Sequence, residues 1–431
     1  MQTEKEKGLS IGSSKKKILI KYYYERIRRD VTNFIKWMLL AILTGLVVGG
    51  ASSAFAACIS AATEYRNSHL WVFLCLPLAG IVIVFMYERL GRQDGGTNQV
   101  LSTIKSKDNV PFISAPLIFI STLLTHLTGG SAGREGASIQ FGGSIGSWLA
   151  KLVHLDETDH HVMIMCGMSA AFAAVFGTPM AAAVFAMEVV SVGVMYYAAL
   201  LPCVIASIIA AEFATGVGLN PETFPVARIP QLSLESGLMI AAGCGLLSIL
   251  FCVALKAVSG IYGKYLKNPY LRVCVAGCLV IGITMLLGTG DYMGAGNELI
   301  AKAVEQGKAR PLDFLWKMIL TAITMRAGYR GGEIVPAFSV GATFGCVAGG
   351  LLGFSPEVAA AASMVALFCG VTNCPIASML ISFELFGFSG AAYYLIAISI
   401  SYALSGYYSL YKDQTIVYSK YKARYINKKT H

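Results

Sequence analysis

Residues 129–146 read GGSAGREGASIQFGGSIG, and residues 331–345 read GGEIVPAFSVGATFG. Both stretches are dominated by glycine and small residues, and both carry charge near their start. Gly133, Gly142 and Gly146 superpose on Gly332, Gly341 and Gly345 at an offset of 199 residues. A second pattern follows each stretch. Residues 176–188 read FGTPMAAAVFAME and residues 372–384 read TNCPIASMLISFE, placing Pro179 nine residues before Glu188 and Pro375 nine residues before Glu384, at an offset of 196. Two motifs in the same order at nearly the same offset indicate an internal duplication; the alternative is a coincidence of helix-packing glycines. In transporters such duplications often form inverted repeats with a site at the midplane, although sequence alone leaves the orientation of this one open.

The surrounding chain is apolar. Of 431 residues, 55% are hydrophobic and 13% charged, with a mean hydropathy of +0.63, whereas soluble domains carry roughly a quarter charged residues. Too little polar surface exists to cover a soluble protein of this size, so the fold class is an all-α polytopic membrane protein. No cleavable signal peptide is visible, because the first long apolar run follows a lysine-rich N-terminus and is long enough to span. The expected organisation is a cytoplasmic tail and interfacial helix at 1–33, a first membrane repeat at 34–215, a connecting loop at 216–233, a second repeat at 234–411 and a basic tail at 412–431. Several apolar segments fall short of the roughly 20 residues needed to cross, which suggests helices that stop inside the membrane.

The net charge of +10 concentrates at the ends. Lys15, Lys16, Lys17, Lys21, Arg26, Arg28 and Arg29 precede the first span, and Lys412, Lys420, Lys422, Arg424, Lys428 and Lys429 follow the last. These read as cytoplasmic flanks against anionic lipid rather than a nucleic-acid surface. Both termini are then cytoplasmic, with a multi-pass chain in the cell membrane. The 11 cysteines contain no CxxC pair and read as small buried hydrophobes. No His or carboxylate falls at metal-ligand spacing, so no metal or cofactor is expected. No nucleophile–base pair supports an intramembrane hydrolase either; His160 and His161 are expected in a polar loop and His126 alone at a helix end. The protein is not expected to be an enzyme.

A dehydrated anion in lipid must have its water replaced by fixed donors. The first amides of a helix serve, because they have no partner in the helix and lie at its positive end, and glycine lets backbone approach the ion. Gly133, Arg134, Glu135 and Gly136, ahead of a helix starting near Ala137, have this form. So do residues Gly331 to Pro336, ahead of a helix near Ala337, with Pro336 suited to a first turn. Glu135 is itself an anion that fits such a nest. It can compete with the transported ion and leave when protonated, which makes it gate and proton carrier; its bland role would be a helix cap paired with Arg134.

The GSAGREG stretch resembles the gating-glutamate motif of the CLC family of chloride channels and anion/proton antiporters, with FGTP…E and GGEIVP in the family's order. Ile416-Val417-Tyr418-Ser419 resembles its pore-tyrosine motif. The resemblance runs from about residue 35 to 420 and implies a CLC-like inverted repeat of tilted and broken helices, assembled as a homodimer with one pore per subunit. It also implies Glu135 as the extracellular gate, anion-facing amides near Ile334 and Val335, and a Tyr418 hydroxyl donating to the central anion. Three departures stand out. The family's Gly-Ser-Gly-Ile-Pro-like loop is matched by Asp94-Gly95-Gly96-Thr97-Asn98, with Gly95 where the anion-binding serine would be. Glu333 replaces an apolar residue, as in the fluoride-exporting branch, though Val335 stands where that branch carries threonine; Glu333 is read as a second proton carrier or gate, or else as a vestibule acid paired with Arg330. Glu188 is followed by Val189 rather than by the second carboxylate of many antiporters, and reads as structural. The function read from the sequence is halide transport, chloride by family, as an anion/proton antiporter gated by Glu135. A fluoride/proton exporter and an uncoupled chloride channel are the alternatives. The expected partners are chloride or fluoride, protons, membrane lipid and a second subunit.

Overall fold

The computed structural model describes residues 2–91, 94–106, 110–220, 223–224, 226 and 234–430. Most of the expected connecting loop 216–233 therefore lies outside the described residues. The first half contains α1 (Gln2–Ser68), α2 (Leu76–Leu90), α3 (Thr97–Thr103), α4 (Ser114–Leu127), α5 (Glu135–Leu152), α6 (Glu157–Phe176), α7 (Pro179–Glu188) and α8 (Leu200–Gly216). The second contains α9 (Leu234–Tyr265), α10 (Pro269–Leu287), α11 (Asn297–Gln306), α12 (Asp313–Ala327), α13 (Ile334–Leu351), α14 (Pro356–Thr372), α15 (Pro375–Phe386) and α16 (Ala391–Leu404). The elements correspond one for one. The step from offset 199 to 196 falls within α6 and α14, which have 20 and 17 residues. Among the described residues, seven helices are long and apolar enough to cross a bilayer, and five apolar ones are shorter.

Local signals explain most boundaries. α1 is continuous through the stretch expected to separate an interfacial helix from the first span, since residues 21–37 contain neither proline nor glycine. Prolines open α7, α14 and α15, where a missing N–H costs nothing. Asp156, outside the span it precedes, caps α6 by accepting the Asp159 N–H at 2.8 Å; this bond and one from the Thr158 hydroxyl hold its carboxyl below the usual range. His160 and His161, expected in a loop, lie instead in the first turns of α6, with His160 Nε2 2.9 Å from Ser147 Oγ.

The halves are joined by reciprocal contacts between equivalent residues. Gly133 and Gly332 form an antiparallel bridge, each N–H donating to the other's carbonyl at 2.7 and 2.6 Å. The Ser131 N–H donates to Thr324 Oγ1 at 3.3 Å, and the Arg330 N–H to Thr125 Oγ1 at 3.4 Å. The Glu188 carboxylate accepts the N–H groups of Ile376 and Ala377 at 3.1 and 2.8 Å, while Glu384 accepts those of Met180 and Ala181 at 2.9 Å each. A glutamate near the end of each helix thus caps the start of the other, so α7 and α15 run antiparallel. A two-fold that reverses equivalent helices makes this an inverted repeat. Glu188 is structural, as its sequence context implies.

Packing is closest along the glycine faces. A Cβ on Gly142 would lie 2.2 Å from the Gly167 carbonyl oxygen, and one on Gly341 2.6 Å from that of Ser363. A closed circuit of buried rings, Phe172, Phe176, Phe338, Phe368 and Phe185, fills the core between the halves, with successive centroids 5.0–5.8 Å apart. The expected basic tail instead carries a hairpin, β2 (Thr415–Tyr418) with β3 (Tyr425–Lys429). This hairpin pairs in parallel with a two-residue strand, β1 (Ser191–Val192), from the first half.

The bridge predicts a sharp glycine requirement. A Cβ on Gly332 would meet the Gly136 nitrogen at 2.4 Å, whereas one on Gly282 meets nothing within 4 Å. Gly332→Ala is expected to cost at least the roughly 1–3 kcal/mol typical of overpacking, and Gly282→Ala to be neutral or slightly stabilising. Thermal unfolding of the two variants in detergent checks this.

Candidate functional site

The two helix breaks meet at the Gly133–Gly332 bridge. α5 begins at Glu135 and α13 at Ile334, close to the starts expected from sequence, and all of Gly133, Glu135, Gly136, Ile334 and Val335 are buried. The first amides of both helices are therefore brought together inside the protein, where no preceding turn can accept from them. Close approach is enforced here too: a Cβ on Gly136 would lie 2.7 Å from the Gly332 Cα.

Glu135 sits in this nest. Its side chain is 0% exposed. Oε2 accepts the Arg134 N–H at 3.0 Å, and Oε1 accepts from Arg134 Nε at 3.2 Å. The carboxylate thus folds back over the start of its own helix, which is the place a transported anion would need. Arg134 also reaches Ser60 Oγ at 3.2 Å and lines a vestibule of about 750 Å³ together with Arg66, His126 and Glu298. His126 is therefore not isolated, and Arg66 Nη1 donates to its carbonyl at 2.8 Å.

Glu333 occupies the cap position of α13, equivalent to Arg134 in the other half. Its partner is Arg326, whose Nη2 donates to Oε1 at 2.5 Å, with the two side chains 23% and 15% exposed. Pairing with Arg330 is corrected: the Arg330 guanidinium stacks 3.9 Å from the Tyr87 ring centre. The loop holding Gly95 is folded on itself. The Gly95 N–H donates to Gln99 Oε1 at 2.7 Å and the Gly96 N–H to Asp94 Oδ1 at 2.9 Å. Gln140 of α5 then clamps both Asp94 oxygens at 3.1 Å. Gly95 is exposed, and its amide is already engaged.

Tyr418 lies on β2, 48% exposed, with its ring edge-on to Tyr425. Another tyrosine from the same segment is buried. Tyr411 is 6% exposed. Its backbone is tied by the Gln414 N–H at 3.2 Å and the Thr430 hydroxyl at 2.7 Å. Gln414 is itself locked by the carbonyls of Val189 and Thr372 at 2.9 and 2.7 Å. Nothing in the spacing separates Tyr411 from Tyr418, so burial alone finds it. Lys317 was more accessible to sequence reading, as a lysine inside an apolar run. It is fully buried and donates to Ser131 Oγ at 3.1 Å and to the carbonyls of Tyr292 and Gly294 at 3.0 and 2.7 Å. It thereby staples the first glycine loop to the vestibule wall.

A buried acid at one helix break and a partly buried one at its equivalent, beside a wide vestibule in an inverted helical repeat, define a membrane transport protein for small ions. Residues 79–406 match the family model described as voltage gated chloride channel. The chain is 34% identical over 397 residues to a chloride/fluoride channel protein of Pseudomonas syringae pv. tomato, covering 90% of this chain and 88% of that protein. It is 24% identical over 414 residues to the H(+)/Cl(-) exchange transporter ClcA of Vibrio cholerae serotype O1, covering 89% and 88%. The crystal structure of a CLC-type fluoride/proton antiporter superposes with a TM-score of 0.85 at 31% identity, covering 88% of this chain and 98% of that one. This chain belongs to the voltage gated chloride channel family.

The Lys317 staple predicts that Lys317→Met leaves the Tyr292 carbonyl without its donor, at roughly 1–3 kcal/mol, while Ser131 Oγ keeps Thr321 Oγ1 at 3.0 Å and the Gly294 carbonyl keeps the Ala132 N–H at 3.1 Å. Lys302, 3.2 Å from Asp291 and 44% exposed, supplies the control, since an exposed pair contributes about 0–1 kcal/mol. Thermal unfolding should show a loss of roughly 1–3 kcal/mol for Lys317→Met and little for Lys302→Met.

Proposed function

We propose that this protein exchanges a halide for protons across the cell membrane, with Glu135 as gate and proton carrier. The observation that carries the reading is the buried Glu135 carboxylate folded over the amides at the start of α5. A carboxylate there holds the place of an anion while charged. Once protonated it loses its attraction for the positive helix end and for Arg134, and yields the place to the ion. One proton and one anion then compete for a single cradle, which is the elementary requirement of exchange. Gly133, Arg134, Gly136, Ile334 and Val335 form the cradle, with Gly95 on the loop beyond it.

The hydroxyl that meets the anion from the hairpin side is assigned to Tyr411 rather than Tyr418, on burial. Glu333 serves as a second proton carrier held by Arg326. Because Glu188 is spent on capping α15, the proton route runs through Glu135 and Glu333. Two copies assemble as a homodimer in the lipid, each with its own pathway and with both termini in the cytoplasm.

Chloride is the substrate that family membership favours. Fluoride is the second reading, favoured by the glutamate of the GGE sequence at 331–333 and by the relatives named for fluoride. The deciding experiment is reconstitution with fluoride, chloride and proton fluxes recorded together. Exchange predicts that an outward halide gradient drives proton uptake; halide flux without proton movement would establish an uncoupled channel.

Glu135→Gln is expected to abolish proton coupling while the protein remains folded, read as loss of halide-driven proton uptake in vesicles. Tyr411→Phe should weaken halide binding by roughly tenfold, the loss of about one hydrogen bond to a charged group, and Tyr418→Phe should leave it unchanged. Calorimetric halide titration of both variants decides between the two tyrosines.

A further inference from the structure

A cavity of about 610 Å³ opens on the side of the C-terminal hairpin, apart from the vestibule above Glu135. Its walls come from parts of the chain remote in sequence. α9 contributes Lys256 and Ser259, α12 contributes Arg326, and the segment after α16 contributes Ser409, Lys412 and Thr430. Among the described lining residues there are three cations and no carboxylate. Like charges gathered round a hollow repel one another and attract a counter-ion.

Arg326 links this hollow to the proton pathway. One of its terminal nitrogens holds Glu333, while its Nε is buried and has no hydrogen-bond partner among the described residues. A buried guanidinium N–H left without an acceptor is costly, and it lies on a side chain that lines a cationic cavity. The planar fork of arginine lets one side hold a carboxylate and another hold an anion.

We infer that this cavity is a second anion site, taking one small inorganic anion on Arg326 with Lys256 and Lys412 supplying the surrounding positive charge. The inference rests on the proposed role of Glu333 and gives it a regulator. An anion seated on Arg326 divides the guanidinium's charge between two acceptors. The Glu333 carboxylate then keeps less of its stabilisation and takes up a proton from the hairpin side more readily. Proton entry is thereby coupled to the anion concentration on that side, without the anion entering the cradle at Glu135. A lipid phosphate offers the same chemistry to the same donors, and the experiment separates the two sources.

The test uses the full chain and the double variant Lys256→Gln/Lys412→Gln, which alters neither Arg326 nor any cradle residue. Crystals soaked in sodium bromide should show an anomalous peak beside Arg326 in the wild type, reduced about five-fold or more in the double variant, as expected for two partly exposed charges. In neutral phosphatidylcholine vesicles, the anion concentration on the hairpin side that half-saturates proton uptake should rise by a similar factor. No wild-type peak, or a peak and half-saturation unchanged in the double variant, overturns the site. A shift that appears only when phosphatidylglycerol is added makes the occupant a headgroup and overturns the free-anion assignment. Glu333→Gln separates the two levels of the argument. If it keeps the bromide peak and also keeps proton coupling, the site stands and the role of Glu333 falls. If it loses coupling while the double variant matches wild type, the site falls and the transport reading stands.

Discussion

An anion stripped of water is unstable in hydrocarbon, and so is a backbone amide with no acceptor. Each problem is the other's solution, provided that the chain can hold open helix ends at mid-membrane without collapse. The antiparallel bridge between Gly133 and Gly332 supplies that support. It satisfies one donor and one acceptor from each half, fixes the two loops against each other, and holds the buried starts of α5 and α13 together. The reciprocal caps of Glu188 and Glu384 hold the starts of the shorter pair α7 and α15.

The backbone of this duplication is close to symmetric, and its charges are not. Arg134 and Glu333 stand at equivalent cap positions with opposite sign. Glu135 is matched by Ile334, and Lys317 by Ile118. Symmetry gives two similar cradles, while the substitutions give them different tasks. On the proposed function, one end carries an acid that can replace the ion. The other carries an acid clamped by Arg326. Directional exchange needs two sides that differ, and a repeat with unlike side chains provides them.

Much of this could be read from the sequence. The glycine spacing and the proline-to-glutamate pairs located the duplication, and they marked helix starts within a few residues of those observed. They did so because close backbone approach admits little but glycine and because proline favours first turns. What escaped was the choice among neighbouring residues of one type, which depends on where side chains end in space. Sequence pointed to Arg330 as the partner of Glu333 and missed Arg326, because the nearer arginine in the chain is drawn away to stack on Tyr87 while the one seven residues back reaches the carboxylate. Tyr411 and Tyr418 sit in one short segment, and their fates part only when β2 pairs with β1 and β3. The inversion of the repeat was likewise hidden, since a linear offset is the same for parallel and antiparallel halves.

The central claim is that the Glu135 carboxylate and the transported anion contend for one set of amides. The most direct measurement is a structure of the protein in halide solution at two pH values, one neutral and one acidic. The account predicts that at acid pH the Glu135 side chain leaves the start of α5 and halide density appears within hydrogen-bond reach of the amides at 134–136 and 334–335. A carboxylate that stays on Arg134 at both pH values, with no halide density at those amides, would contradict it.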